Sequence, residues 1–251
     1  MALPKIARVT YETTIPSTKK KIKFRPFLVK EEKVLILAKE SGDSSQMLRA
    51  VEDVIDACVL TKGFSSKELP TFDNEYLYLV IRSKSIGEEI DVEITCPDDD
   101  VTTVMETILV NDICVVFNDE HKNQFKINDK YSIQMKYPTL SSPVNNLDGE
   151  NVTFEESLKV IASCVDIIYT EDGSMWSASE STLEEMVEWL EALEEKEFDG
   201  IEKFFTTMPR LSHTVTVTNP KTNVTSDVVL EGFGSFLTFA PPPKELKPII
   251  N

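Results

Sequence analysis

The sequence predicts a mixed α+β protein built from an N-terminal helical hairpin, a small central antiparallel β unit, a second helical segment and a C-terminal β-hairpin. Residues 89–96, 104–110 and 131–137 alternate apolar and polar side chains, as strands with one buried face do. Before and after them, apolar residues recur at three- and four-residue steps, which is the spacing of helices. Apolar residues make up 41% of the chain, enough to form a hydrophobic core.

Two parts of the chain are expected, divided near a proline-containing loop. Pro138 and Pro143 follow the last central strand, and prolines at such a position end regular structure. Residues 1–143 would hold the arm, the helical hairpin and the β unit. Residues 144–251 would hold the second helical segment, the C-terminal β-hairpin and an aromatic tail.

The N-terminal arm, residues 1–23, is polar, which indicates either a mobile arm or a pair of strands. Residues 19–24 alternate and are predicted to form a strand with Ile22 and Phe24 on one face. The run Lys19–Lys21 is either a solvated turn between two strands or a contact for an acidic partner.

A helical hairpin is predicted to follow the arm. Its first helix starts with the charged turn Lys30–Lys33 and ends at Gly42, and its second is capped by Asp43, Ser44 or Ser45 and closes at Lys62–Gly63. The predicted buried stripes are Val34, Leu35, Leu37 and Ala38 in the first helix, and Met47, Leu48, Val51, Val54, Ile55, Cys58 and Val59 in the second.

Segment 74–82 fits two structures. Its continuous apolar run with two tyrosines is typical of a buried strand. Asp73 as an N-cap, with Leu77 and Ile81 four residues apart, is typical of a helix. We predict a helix.

The second half of the chain begins with a helix capped by Thr153. A turn at residues 170–173 precedes a strongly acidic helix, Leu183–Lys196, and a shorter helix lies beyond it. Residues 211–217 and 224–230 alternate around a turn and form the C-terminal hairpin. The predicted apolar faces are Leu158, Ile161, Ala162, Val165 and Ile168; then Leu183, Met186, Val187, Leu190 and Leu193; then Phe198, Ile201, Phe204 and Phe205.

The aromatic tail contains Phe233, Phe236, Leu237 and Phe239. These side chains either dock on the protein's own core or fill a groove on a partner. Exposed together, they would promote aggregation, so we expect them to be buried against one or the other.

Charge and hydropathy exclude several classes of protein. The net charge is −17 and the pI about 4.6, whereas nucleic-acid binding needs a basic field, so nucleic acid is not expected as a partner. No apolar stretch is long enough to span a membrane. Residues 1–23 lack the apolar core of a signal peptide, so the chain is expected to stay in a cytosol.

The four cysteines are Cys58, Cys96, Cys114 and Cys164. None forms a C-x-x-C pair, so a zinc knuckle is not expected, and a reducing cytosol disfavours disulfides. We predict that they are buried thiols, because free cysteine is among the most buried residue types.

No catalytic constellation stands out, and no cofactor motif is present. The histidines, His121 and His213, fall in a polar turn and at the start of a strand. Asp98–Asp100 is interpreted as a solvated hairpin turn. Two other functions remain open: a metal-dependent hydrolase using Asp98–Asp100, Glu106 and His121, and a DNA mimic using the acidic helix Leu183–Lys196.

The order of several short motifs resembles a known phage family. The motifs extend over most of the chain, and the stretch from Lys23 to Leu140 is the strongest part. They are Lys23-Phe24-Arg25-Pro26-Phe27-x-x-Lys30-Glu31-Glu32-Lys33, Phe72-Asp73-x-x-Tyr76-Leu77-x-x-x-Ile81-Arg82-Ser83-x-Ser85-x-Gly87-Glu88, Ile94-x-Cys96-Pro97, Tyr137-Pro138-Thr139-Leu140 and Gly232-Phe233-x-x-Phe236. In this order they are similar to the baseplate hub subunits and hub assembly proteins of T-even-type contractile-tailed phages.

The resemblance implies a non-enzymatic protein that helps to build the hub of the tail baseplate, either as a virion component or as a transient assembly chaperone. It implies contacts with other hub and tail proteins or with further copies of the chain, first in the host cytoplasm and then in the virion tail. Asp98–Asp100 stands where relatives can carry a second cysteine knuckle, so no metal role is transferred. The expected partner-binding residues are Lys19, Lys20, Lys21, Phe24, Arg25, Phe27, Phe233, Phe236, Leu237 and Phe239.

Overall fold

A computed structural model of the chain describes residues 7–142 and 153–236. Within these ranges it contains helices and several small antiparallel sheets, so the predicted α+β class is confirmed.

The N-terminal arm forms a pair of strands. Strand β1 (Tyr11–Thr14) pairs antiparallel with β2 (Lys21–Phe24), as one of the two interpretations of the arm predicted. Ile22 and Phe24 are buried on the same face of β2, because successive side chains of a strand point to opposite sides.

Helices α1 (Val29–Ser41) and α2 (Ser44–Cys58) form the predicted helical hairpin, but α2 ends at Cys58, before the predicted end at Lys62–Gly63. Gly42 takes a left-handed φ of 67°, which glycine adopts without strain, and Asp43 accepts hydrogen bonds from the first backbone N–H groups of α2.

The predicted stripe of α1 is partly wrong. Leu35 and Ala38 are buried, but Val34 is 42% exposed and Leu37 is 53% exposed. The reason is that the buried side of α1 runs along Glu31, Leu35 and Ala38, and this face leaves Val34 and Leu37 outside.

Helix α3 (Thr71–Ser85) includes segment 74–82, so the choice of helix over strand is confirmed. The predicted N-cap is wrong, because the helix begins at Thr71 and Asp73 lies in its first turn. Its consecutive residues Leu77, Tyr78 and Leu79 are all nearly inaccessible to solvent. A helix that is surrounded by core has no polar face along its centre, which explains the apolar run that resembled a strand.

The central β unit is divided between sheets. Strands β3 (Glu89–Thr95) and β4 (Thr103–Leu109) pair with each other, but β7 (Tyr131–Met135) belongs to a different sheet. That sheet has the order β6-β7-β8-β9, with all neighbours antiparallel. Its other strands are β6 (Gln124–Lys126), β8 (Val165–Thr170) and β9 (Met175–Ser177).

Helix α4 (Phe154–Cys164) has the predicted cap: the Thr153 hydroxyl accepts from the backbone N–H of Glu156 at 3.2 Å. The predicted stripe is wrong at Val165 and Ile168, which lie on β8. Both residues are buried on the strand, and their three-residue spacing also fits the buried face of a helix. Periodicity alone therefore does not distinguish a strand from a helix at these two positions.

The acidic helix ends earlier than predicted. Helix α5 (Leu183–Glu191) is followed by a break and by α6 (Glu195–Thr207). The Glu197 carboxylate accepts from the backbone N–H of Glu194 at 2.8 Å, which is half of a capping box that starts α6.

The C-terminal hairpin of β10 (Arg210–Thr218) and β11 (Thr225–Glu231) is confirmed. A short strand that the sequence did not reveal, β5 (Cys114–Val116), pairs with the other edge of β10. Helix α7 (Gly232–Phe236) closes the described part of the chain.

Two hydrophobic cores result. The first contains the buried side chains of α1 to α3, of the N-terminal hairpin and of β3, β4 and β10. The second lies between the four-stranded sheet and α4 to α6. The strand pairs β7–β8 and β5–β10 each join a strand before position 143 to a strand after it. The division into two domains at position 143 stays a prediction.

Cys58, Cys96 and Cys164 are buried, as expected, but Cys114 is exposed. It lies on the edge strand β5, where its side chain faces away from the core. No helix in the described ranges has the length and apolar content that crossing a membrane requires.

Candidate functional site

The N-terminal hairpin presents a group of lysines to solvent. Lys19, Lys20 and Lys21 are all exposed, at and after the turn between β1 and β2. Lys19 takes a φ of 56°, and its Nζ lies 5.0 Å from the centre of the Phe117 ring, within range of a cation–π contact. We name this surface, Lys19 to Lys21, the lysine turn.

A buried carboxylate on α3 holds the turn in place. The backbone N–H of Ser17 donates to Asp73 Oδ1 at 3.0 Å, and the Ser17 hydroxyl donates to Oδ2. Burial raises the pKa of Asp73, although the two Ser17 hydrogen bonds and the charge of Lys19 act in the opposite direction. The lysine turn is therefore anchored to the central helix of the first core.

A buried ion pair fixes the base of the hairpin. The Arg25 guanidinium donates to Glu31 Oε1 at 3.0 Å and to the carbonyl of Ala57 at 2.9 Å. Glu31 also accepts from the backbone N–H of Leu28 at 2.7 Å. Burial alone would raise the pKa of Glu31, but the hydrogen bonds from Arg25, Leu28 and Lys30 outweigh it and lower the pKa to about 2.

The other expected partner-binding residues of this region point inward. Phe24 is 1% exposed, Arg25 6% and Phe27 9%. Phe24 stacks on Tyr11, with ring centroids 5.7 Å apart, and the Phe27 backbone N–H donates to the hydroxyl of Ser85. These three residues support the hairpin from within, whereas Lys19, Lys20 and Lys21 are exposed.

The aromatic tail reaches the same core from the other end of the chain. Phe236 is fully buried in the first core. Phe233 lies in α7, and Leu237 and Phe239 lie outside the described residues. Of the two interpretations of the tail, docking on the protein's own core applies to Phe236.

The acidic turn at Asp98–Asp100 joins two hairpins. Asp98 accepts from the side-chain amide of Asn219 at 2.9 Å and from the hydroxyl of Thr222. Asp99 accepts from the hydroxyl and the backbone N–H of Thr102, and these bonds hold its pKa well below the usual range. The tip of β3–β4 is thus tied to the tip of β10–β11.

The residues proposed for a metal-dependent hydrolase do not meet in a metal cluster. In residues 7–142 and 153–236, no three His, Cys, Asp or Glu side chains come together in a way that could hold an ion. Glu106 lies on β4 opposite Val92, and His121 Nδ1 is hydrogen-bonded to the hydroxyl of Thr207 at 2.9 Å.

His121 has an environment that its polar sequence neighbours do not indicate. Its ring stacks on Tyr137 at a centroid distance of 5.5 Å and lies 5.1 Å from that of Phe204. Burial lowers its pKa. The aromatic partners are distant in the sequence, so no local pattern could have revealed this contact.

Both tryptophans, Trp176 and Trp189, line a cavity of about 250 Å³ between the four-stranded sheet and α5. The sequence reasoning missed this feature. Each tryptophan lies in an element whose pattern indicates only strand or helix, and their meeting depends on how α5 packs on the sheet.

A family model described as "T4 bacteriophage base plate protein" matches residues 8–238 of the chain. The match extends over both cores and includes the lysine turn. No curated protein and no solved structure gives a significant match.

Proposed function

The chain belongs to the T4 bacteriophage base plate protein family, and from this membership we propose that it is a non-enzymatic component of the baseplate hub that acts through protein–protein contacts. The family match over residues 8–238 is the observation that carries the proposal. The family places the chain in the tail baseplate and makes other baseplate proteins its partners.

The lysine turn is the contact surface that we propose. Lys19, Lys20 and Lys21 form a compact positive group on a chain whose net charge is −17. Such a group attracts an acidic surface, whereas the acidic remainder of the exterior repels it, so the lysine turn orients the molecule as it approaches an acidic partner.

Rigidity supports the same role. The turn is attached to α3 through Asp73, and the base of the hairpin is held through Arg25 and Glu31. A surface that is ordered before binding loses little conformational entropy when a partner docks, which favours a lasting contact in an assembly.

The assembly role has two forms. In the form that we favour, the protein enters the hub in the host cytoplasm and remains in the virion tail, bound to other hub and tail proteins or to further copies of itself. In the other, it is an assembly chaperone that leaves before the tail matures. Neither form requires a cofactor or nucleic acid.

Mass spectrometry of purified mature tails, run beside assembly intermediates, tests the proposal. Stoichiometric amounts in mature tails would identify a structural hub subunit. Presence in intermediates alone would identify a chaperone. Absence from both preparations would contradict a hub role and would leave the acidic surface of α5 as the alternative contact surface.

A further inference from the structure

The cavity beside α5 is built on one face of the four-stranded sheet. Ile133, Ile168 and Trp176 are cross-strand neighbours, so their side chains share a face, and Tyr131 lies two residues before Ile133 on that face. Helix α5 lies over the same face and adds Trp189 to the lining.

The size of the cavity suits one side chain. Its volume is about 250 Å³. Sites for cofactors and small-molecule ligands usually span about 300–1,000 Å³. The space therefore fits a single long side chain presented by a protein better than a free cofactor.

Aromatic rings line much of the cavity, beside the apolar side chains of Ile168 and Met186. The rings of Tyr131 and Trp189 stand perpendicular, with an interplanar angle of 90° and centroids 6.2 Å apart. Trp176, which is 48% exposed, also lines the cavity. Aromatic faces carry negative quadrupole potential, so rings around one space attract a cation.

The rim is acidic. Glu185 lines the cavity, and its Oε2 accepts from the backbone N–H of Thr182 at 2.8 Å, which holds the carboxylate in place. The first turn also carries Glu184, and α5 contains no basic residue. The N-terminus of a helix carries about half a positive charge, which these two carboxylates outweigh.

We propose that this cavity binds a lysine or arginine side chain presented by another baseplate protein. Charge complementarity selects the occupant, because acidic and aromatic groups surround a space the size of one long side chain. The identity of the protein that presents the basic side chain rests on the proposed function. The binding chemistry depends only on the residues that line the cavity, so it is tested on the purified chain.

Intrinsic fluorescence reports the binding directly, since the two tryptophans of the chain both line the cavity. The full chain is titrated with the blocked peptides acetyl-Gly-Arg-Gly-amide and acetyl-Gly-Lys-Gly-amide, and with the norleucine peptide as an uncharged analogue. The arginine and lysine peptides should give saturable changes that weaken with added salt, and the norleucine peptide should give none.

Matched variants locate the effect. Glu185→Gln keeps the capping box, because glutamine serves at that position, and should weaken binding about tenfold through loss of one charge-assisted contact. Glu188→Gln makes the same charge change on the same helix outside the cavity and should leave binding unchanged. Trp176→Leu should weaken binding while Trp189 still reports.

Three results would overturn the proposal. Equal binding of the norleucine peptide would mean an apolar site, and equal losses in Glu185→Gln and Glu188→Gln would mean a diffuse charge effect. Absence of peptide binding, together with self-association that Glu185→Gln abolishes, would assign the cavity to a second copy of the chain. None of these three results changes the outcome expected from mass spectrometry of tails. A cavity that does not bind basic side chains is therefore distinguishable from a chain that has no hub role.

Discussion

At the residue scale, a few buried charges hold this protein together. Arg25 and Glu31 lie 3.0 Å apart in the interior, and each has further hydrogen bonds to backbone groups. Removing one partner of such a pair leaves an uncompensated charge, which costs more free energy than the intact pair contributes.

Replacing Arg25 with methionine should therefore lower the free energy of unfolding by about 3–5 kcal/mol, because Glu31 then remains buried with only the exposed Lys30 as a cationic neighbour. Urea denaturation at neutral pH measures the change. Lys23→Met, which removes an exposed lysine paired with Glu12, should cost less than about 1 kcal/mol. Similar losses in both variants would contradict the role of the buried pair.

The pKa of Glu31 predicts a dependence of stability on pH. Folding lowers this pKa from 4.5 to about 2, so the folded state binds its proton less readily than the unfolded chain. The stabilisation is complete above pH 4.5 and is lost as the pH falls towards 2. Wild type should lose more stability than Glu31→Gln between pH 5 and pH 3, as followed by denaturant titrations; parallel losses would exclude Glu31 as the source.

His121 should give a second pH effect, near neutrality. Burial lowers its pKa, and its Nε2 has no hydrogen-bond partner among the described residues, so the folded state disfavours the protonated ring. The free energy of unfolding is therefore unaffected by His121 above the unfolded-state pKa of about 6.5. It decreases as the pH falls from that value towards the folded-state pKa of His121.

Thermal unfolding at pH 7.5 and pH 5.5 tests this effect. His121→Phe keeps a ring between Tyr137 and Phe204 but cannot be protonated, so its Tm should fall less than that of wild type on acidification. His213→Phe serves as the matched control and should behave like wild type. A wild-type loss that persists in His121→Phe would point to other groups.

At the element scale, packing overrides local preference at identifiable positions. Helix α6 contains Gly200, although glycine is less favourable than alanine in a helix interior by about 1 kcal/mol. A methyl group at Gly200 would lie 2.5 Å from the Phe125 ring of strand β6. The glycine thus allows α6 to approach the sheet.

Gly200→Ala should destabilise the protein by about 1–3 kcal/mol, because the overlap with Phe125 exceeds the gain in helix propensity. Chemical denaturation measures the effect. Adding Phe125→Leu should recover part of the loss, and Glu202→Ala on the same helix should be close to neutral, since Glu202 is exposed. A stabilised Gly200→Ala variant would show that α6 and β6 lie further apart.

The boundaries of elements also depend on such contacts. Thr153, Asp43 and Gly42 mark helix ends by chemistry that local sequence reveals. The change from α4 to β8 at Val165 has no such marker, and pairing with β7 determines it. Local signals therefore predicted capped ends better than the junction between helix and strand.

At the scale of the whole molecule, charge is distributed unevenly. The net charge is −17, α5 carries several glutamates and no basic residue, and the lysine turn is positive. On such an acidic exterior, the lysine turn is the surface that we propose for contact with an acidic partner.

Reversing the charge of the lysine turn should reduce incorporation into the baseplate. The triple variant Lys19→Glu, Lys20→Glu and Lys21→Glu changes exposed side chains only, so the fold should persist while association with an acidic partner weakens. Co-purification with hub intermediates measures the loss. Reversal of three other exposed lysines, Lys67, Lys196 and Lys221, changes the net charge equally; equal loss in both variants would remove the lysine turn from the contact.

The sequence by itself determined which segments are helices or strands wherever periodicity, caps and turns agree. It established α2, β3, β4 and the hairpin of β10 and β11, because the spacing of apolar residues specifies which face is buried. It also placed the exposed lysines on a turn between strands, and its ordered motifs indicated the baseplate family.

Only the tertiary structure decided which strands pair and which distant side chains meet. Strand β7 joins β8, β5 joins β10, and the tryptophans converge on a single cavity. An alternating pattern states that a strand has an apolar face but does not name the partner that covers it. That choice depends on packing between residues far apart in the chain, which no local window contains.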